Sequence, residues 1–180
     1  TKENGPYLLN GWVSVIPGTT LTITPGTVIK FRSASSLSVA GTLNVEGTLA
    51  EPIIFTAITD DAVGDDTNGD GNATTPHGGY WGQVYVGTGG SISATHSLFR
   101  YGGRIWDHGY VDEGMIGNHG GTVSVSDSDF SKSTGNHVSQ SAGTTTIETT
   151  HFATAPISIS LRGGALSVTD SVFATSTTAI

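Results

Sequence analysis

Cysteine is absent from the 180 residues, so no disulfide framework holds this fold. Basic residues are scarce: 7 Lys and Arg stand against 15 Asp and Glu, for a net charge of −8. A chain so poor in cations cannot neutralise a phosphate backbone, which excludes nucleic acid as a partner. Only 12% of residues are charged at all. No apolar run is long enough for a membrane-spanning helix, so no membrane insertion is expected. No stretch repeats its apolar residues at helical spacing. What the chain does have is 26 glycines and a polar set dominated by Ser and Thr, with Val and Ile among them. β-branched residues favour strands and glycine serves tight corners, so the composition is all-β.

The chain repeats itself. Phe130, Phe152 and Phe173 lie 22 and 21 residues apart, and their surroundings match. Five residues before each stands an aliphatic, Val125, Ile147 or Val168; seven before stands Val123, Thr145 or Leu166. Two before is a small hydroxyl, Ser128, Thr150 or Ser171, and nine or ten before is Gly121, Gly143 or Gly164. A period in this range marks a solenoid, in which each coil buries its apolar face only against its neighbours. The hydroxyls, with Ser97 added, are expected to form an inward ladder bonded up and down the stack. The outward Thr and Ser of the same strands are broken by Glu148 and Ala165, which argues against an ice-binding face.

Nearer the N-terminus, Leu21–Ile23, Val28–Phe31, Leu37–Val39, Leu43–Val45 and Pro52–Thr56 alternate apolar and polar residues between Gly and Pro corners. Three short strands per coil predict a single-stranded parallel β-helix over 20–180, with coils of about 21–22 residues and two loop insertions. Residues 1–19 are expected to cap its first coil. Trp12 is assigned to that cap, with ligand stacking as the alternative. The chain ends at Ile180 inside a coil, so a piece of a larger protein is expected.

The run from Leu21 to Phe31, with Gly41-Thr42-Leu43, Gly47-Thr48 and Pro52–Thr56, resembles the right-handed parallel β-helix repeats of large bacterial secreted and cell-surface proteins. Trp81-Gly82 with Val84, and Phe99 to Gly103, are similar to the following coils of that family. The resemblance implies right-handed winding, an extracellular or cell-surface location and modular repetition. The same superfamily includes pectate-lyase-like enzymes.

Two segments interrupt the pattern, near 57–80 and near 100–119. The first holds Asp66-Thr67-Asn68-Gly69-Asp70-Gly71-Asn72, with oxygen side chains at loop positions 1, 3 and 5 and Gly at 6. That spacing matches the first half of an EF-hand calcium loop. The carbonyl of Asn72 fits position 7 and Thr74 falls at position 9. Position 12 is His77, where a bidentate carboxylate belongs; Asp60, Asp61 and Asp65 are the candidates to replace the missing ligand. The bland alternative is an ion-free Asp/Asn/Gly turn. The second segment gathers Arg100, Arg104, Trp106, Asp107, His108, Tyr110, Asp112 and Glu113, a set suited to sugar recognition or glycoside chemistry, or else a solvated loop. The remaining histidines are dispersed, without zinc-site spacing.

These features point first to a non-catalytic stalk or adhesion module, stabilised by calcium. The alternative is a carbohydrate-active enzyme or glycan-binding domain, with polysaccharide or cell-surface glycan as partner. End-to-end self-association is a further expectation for a stack with open ends.

Overall fold

The computed structural model describes residues 5–104 and 114–174, and these form an all-β architecture of 17 strands with no helix. No helix among them is therefore long and apolar enough to cross a membrane.

Every strand pairing is parallel, and the pairings fall into three ladders. The first joins β1 (Tyr7–Leu9), β4 (Val28–Phe31), β7 (Ile53–Ala57), β10 (Ser97–Arg100), β12 (Asp129–Ser131), β14 (His151–Ala153) and β17 (Val172–Ala174) into a seven-stranded sheet. The second runs β2 (Trp12–Val15), β5 (Ser36–Val39), β8 (Val84–Val86), then the first half of β11 (Gly114–Ser126). It continues through the first half of β13 (Asn136–Glu148) to β15 (Ile157–Leu161). The third runs β3 (Thr20–Ile23), β6 (Thr42–Glu46), β9 (Ser91–Thr95), the second halves of β11 and β13, and β16 (Ala165–Thr169). Because β11 and β13 belong to both, the second and third ladders fuse into one bent sheet of larger size. The bend falls at the register shift between His119 and Thr122. There Gly121, Gly143 and Gly164 stack. A Cβ on Gly143 or Gly164, both at φ 86°, would run into the carbonyl oxygen of Gly121 or Gly143, one repeat earlier. Only glycine permits that approach.

The repeat in sequence is this register. Phe55, Phe99, Phe130, Phe152 and Phe173 pair across the first ladder, and their rings stack at 4.6, 4.8, 5.2 and 5.0 Å. These are close to the strand spacing itself, so each ring caps the next. Val, Ile and Leu of the other two ladders face the stack and complete one continuous core. His137 is fully buried, with its ring 6.0 Å from that of Phe130 and 5.7 Å from that of Phe152.

The hydroxyl ladder takes a different form from the expected one. The hydroxyls of Ser97, Ser128, Thr150 and Ser171 do not bond one another; each donates to the carbonyl two residues earlier, at 2.7–3.0 Å. Ser128 Oγ and Ser171 Oγ then accept the backbone N–H of Ser97 and Thr150 from the preceding repeat at 3.1 Å. The residue before each hydroxyl, His96, Asp127, Thr149 or Asp170, has φ between 43° and 49°. The left-handed corner breaks the strand ladder for one residue, and the hydroxyl replaces the lost backbone partner.

Tyr7–Leu9 and Trp12–Val15, expected as cover, are ladder strands in register with β4 and β5. The two interruptions leave from one corner in consecutive turns, between β7 and β8 and between β10 and β11. The first runs from Ala57, which closes β7, to Val84, which opens β8; the second is shorter than the sequence pattern indicates, because Arg100 closes β10 and Gly114–His119 already belong to β11. Their bases are tied together: Tyr80 N donates to Tyr101 O at 2.8 Å and Gly103 N to Gly82 O at 2.9 Å. Trp81 stacks on Phe31 at 4.3 Å and donates Nε1–H to Arg100 O at 2.9 Å.

Candidate functional site

The first interruption lies over the outer face of the seven-stranded sheet. In β4, Ile29 and Phe31 turn into the core, and Lys30 between them faces outward. Lys30 is nonetheless fully buried, because the acidic loop covers it. Its ammonium donates to Asp65 O at 2.7 Å, with the charges of Asp61, Asp60, Asp65 and Asp66 around it. Burial lowers its pKa and the carboxylates oppose that shift. Lys30 pairs with Thr56, and Thr56 sits one rung below Arg100. Thr56 Oγ1 donates to Asp60 Oδ2 at 2.5 Å, and Arg100 Nε lies 3.1 Å from the same oxygen. Three adjacent rungs thus hold the start of the loop through two cations and a hydroxyl.

Beyond this anchor the chain turns at Gly64 and Asp65, with φ of 63° and 59°. Asp66 then folds its carboxylate back onto the loop. Its Oδ1 accepts from Gly69 N at 2.8 Å and Asp70 N at 3.2 Å, and its Oδ2 accepts from Gly71 N at 2.8 Å. These donors, Gly71 foremost, hold its pKa below the ordinary carboxylate value. Gly69 and Gly71 have φ of 73° and 68°, the left-handed conformation that aims successive N–H groups at one carboxylate. Asp70 Oδ2 accepts from Asn68 Nδ2 at 2.8 Å and from Thr74 Oγ1 at 2.5 Å. Asn68 Nδ2 also reaches Thr74 Oγ1 at 3.0 Å.

Of the three aspartates available to complete the loop, Asp61 is the one that arrives. Asp61, Asp66 and Asp70 each bring a carboxylate oxygen within 4.8 Å of the other two. Asp65 contributes its carbonyl to Lys30 instead, and Asn72 is exposed. Asp61 Oδ1, Asn68 Oδ1 and Asp70 Oδ1 are buried and accept no hydrogen bond. The cluster therefore joins convergent carboxylates to oxygens that lack donors, a combination costly to leave uncompensated.

In the second interruption, Arg104 Nη1 reaches Ser33 Oγ at 3.4 Å. Trp106, Asp107, His108 and Tyr110 lie outside the described residues. Arg100 is committed to Asp60. The histidines are dispersed as their spacing indicates: His77 meets Tyr80 edge-on, His119 stacks on Tyr85, and His151 Nδ1 contacts Asp129 Oδ2 at 2.9 Å. Sequence reasoning missed Lys30 and Arg100 as anchors of the acidic loop. The available signal was a cation at the same outward position of two ladder strands.

No protein-family model, curated protein or solved structure matches this chain.

Proposed function

We propose that the chain is a right-handed, single-stranded parallel β-helix serving as a non-catalytic stalk or adhesion module of a bacterial cell-surface or secreted protein. Its acidic insertion takes one calcium ion. Three parallel ladders repeating every third strand support the winding, and parallel crossovers are right-handed almost without exception. Continuous ladders and a stacked phenylalanine core give a stiff rod, the property a stalk needs.

The observation that carries the calcium reading is the set of three buried oxygens without donors, on Asp61, Asn68 and Asp70, beside the carboxylate of Asp66. Oxygen donors of this kind suit a hard cation. The ion would be structural, joining Asp61 at the sheet to the turn at 66–70. Lys30 supplies one positive charge from below and leaves the cluster net negative.

Calorimetric titration of calcium into chelator-treated protein tests this. One saturable site is expected, with Kd in the range of about 0.1–1 mM typical of extracellular modules. Asp61→Asn and Asp70→Asn should each abolish it. Calcium at about 100 Kd should raise stability by about 2.7 kcal/mol. Absence of binding at about 10 mM calcium, or binding that survives both substitutions, refutes the site.

A further inference from the structure

The outer face of the larger sheet carries a second concentration of chemistry. Trp12 on β2 is 61% exposed, and its indole meets the Tyr85 ring of β8 edge-on at 6.5 Å. Tyr85 lies nearly parallel to the His119 imidazole of β11, at 4.5 Å and 16°. Ser141 of β13 contacts His119 Nδ1 at 3.2 Å. The ladder dictates this alignment. Val15 is buried in the core and Val13 pairs with the core residue Leu37, so the alternating Trp12 and Ser14 face out; Val84 and Val86 do the same for Tyr85. Ser38 and Gly117, the partners of Tyr85 on either side, are too small to crowd its ring.

Beside this row sits an unsatisfied amide. Gln83 is only 5% exposed, and its Oε1 is buried without a hydrogen-bond partner. That oxygen occupies the space a Cβ on Gly117 would need, and the same position is 3.0 Å from His119 Nε2. The acceptor therefore lies against the aromatic row. A buried amide oxygen without a donor costs about 1–3 kcal/mol. Its terminal torsion is soft, so the oxygen can turn to a ligand without backbone movement.

We propose that this strip is a binding site for a neutral sugar chain, with Trp12 stacking on the C–H face of a pyranose and Gln83 Oε1 accepting one of its hydroxyls. A sugar ring matches both halves of the site, since it has apolar faces and a rim of O–H donors. Trp12, Gln83, Tyr85, His119 and Ser141 bring no fixed positive charge, and the chain carries a net charge of −8, which disfavours a uronate polymer. The site is independent of calcium and of the role assigned to the acidic loop.

The test is calorimetry and tryptophan fluorescence with cellohexaose, xylohexaose, maltohexaose and chitohexaose, with polygalacturonate as the anionic comparison, in calcium and in chelator. At least one neutral hexasaccharide should bind saturably and to the same extent in both buffers. Trp12→Ala removes an exposed side chain, so it should keep the fold while weakening binding about tenfold or more. Gln83→Leu should weaken binding without lowering the unfolding midpoint, because it deletes an unsatisfied acceptor. The proposal is overturned if no neutral hexasaccharide binds at about 10 mM. It also fails if Trp12→Ala binds unchanged, or if polygalacturonate binds better than every neutral probe. Conversion of a dimer to a monomer by Trp12→Ala in sedimentation, without loss of sugar binding, would reassign the face to contact between copies.

Discussion

His137 makes the stability of this protein depend on mildly acidic pH, and the size of the effect follows from its place in the core. The imidazole is fully buried against Phe130 and Phe152, and desolvation lowers its pKa from 6.5 to about 4. Above pH 6.5 the ring is neutral whether the chain is folded or not, and the full stability is present. Between 6.5 and 4 the unfolded chain takes up a proton that the folded chain refuses, so stability falls as pH falls. The slope is about 1.4 kcal/mol per pH unit, and the loss is complete, at about 3 kcal/mol, once pH has passed through the folded value. Urea unfolding followed by circular dichroism at steps from pH 8 to 4 measures this. Other groups titrate over the same range, so the informative quantity is the difference between the protein and His137→Leu. That substitution nearly conserves volume and removes the proton site. The variant should gain about 3 kcal/mol relative to the parent between pH 7 and 4, whatever their offset at pH 8. A difference that stays flat across this interval refutes the reasoning, as does an NMR titration placing the folded pKa near 6.5.

Other perturbations have equally definite outcomes. Phe130→Ala opens a gap in the middle of the ring stack and should cost about 3–5 kcal/mol in urea unfolding. Gly143→Ala forces a Cβ against the Gly121 carbonyl at a left-handed φ. It should destabilise by about 1–3 kcal/mol, whereas Gly89→Ala, with open space around it, should cost no more than about 1–2 kcal/mol. Lys30→Met removes the cation beneath Asp60, Asp61, Asp65 and Asp66. Proteolysis within 58–79 should then accelerate in chelator, and calcium should slow it again; equal cleavage rates in parent and variant would count against the anchor.

How much of this was legible in the chain depends on whether neighbours in space were also neighbours in the repeat. The phenylalanine stack was legible from Phe130 onward because an uninterrupted repeat returns each ring to one column of the ladder every 21–22 residues. Val28–Phe31 and Leu43–Val45 were legible from their period-two alternation. The same alternation concealed Lys30, which looks like an ordinary outward lysine until the loop folds over it. Tyr7–Leu9 and Trp12–Val15 carry no repeat signature, and only their pairing partners reveal them as strands. The composition of 66–72 announced an acidic turn. The choice of Asp61 over Asp65 came from backbone turns at Gly64 and Asp65 that no spacing rule encodes. The row of Trp12, Tyr85 and His119 was illegible because both interruptions fall between its members and break the count.

Both interruptions leave from the same corner, where the other turns make do with the few residues between β4 and β5 or between β12 and β13. The ladders on either side keep their register whatever length of chain bridges that corner. It is therefore a port where loop length is uncoupled from the scaffold. Replacing residues 59–79 with a short turn, while keeping Trp81 on Phe31, should leave the three ladders intact. Loops exchanged there would share a supporting floor of three rungs, so a parallel scaffold of this design can change what it displays without changing how it stands.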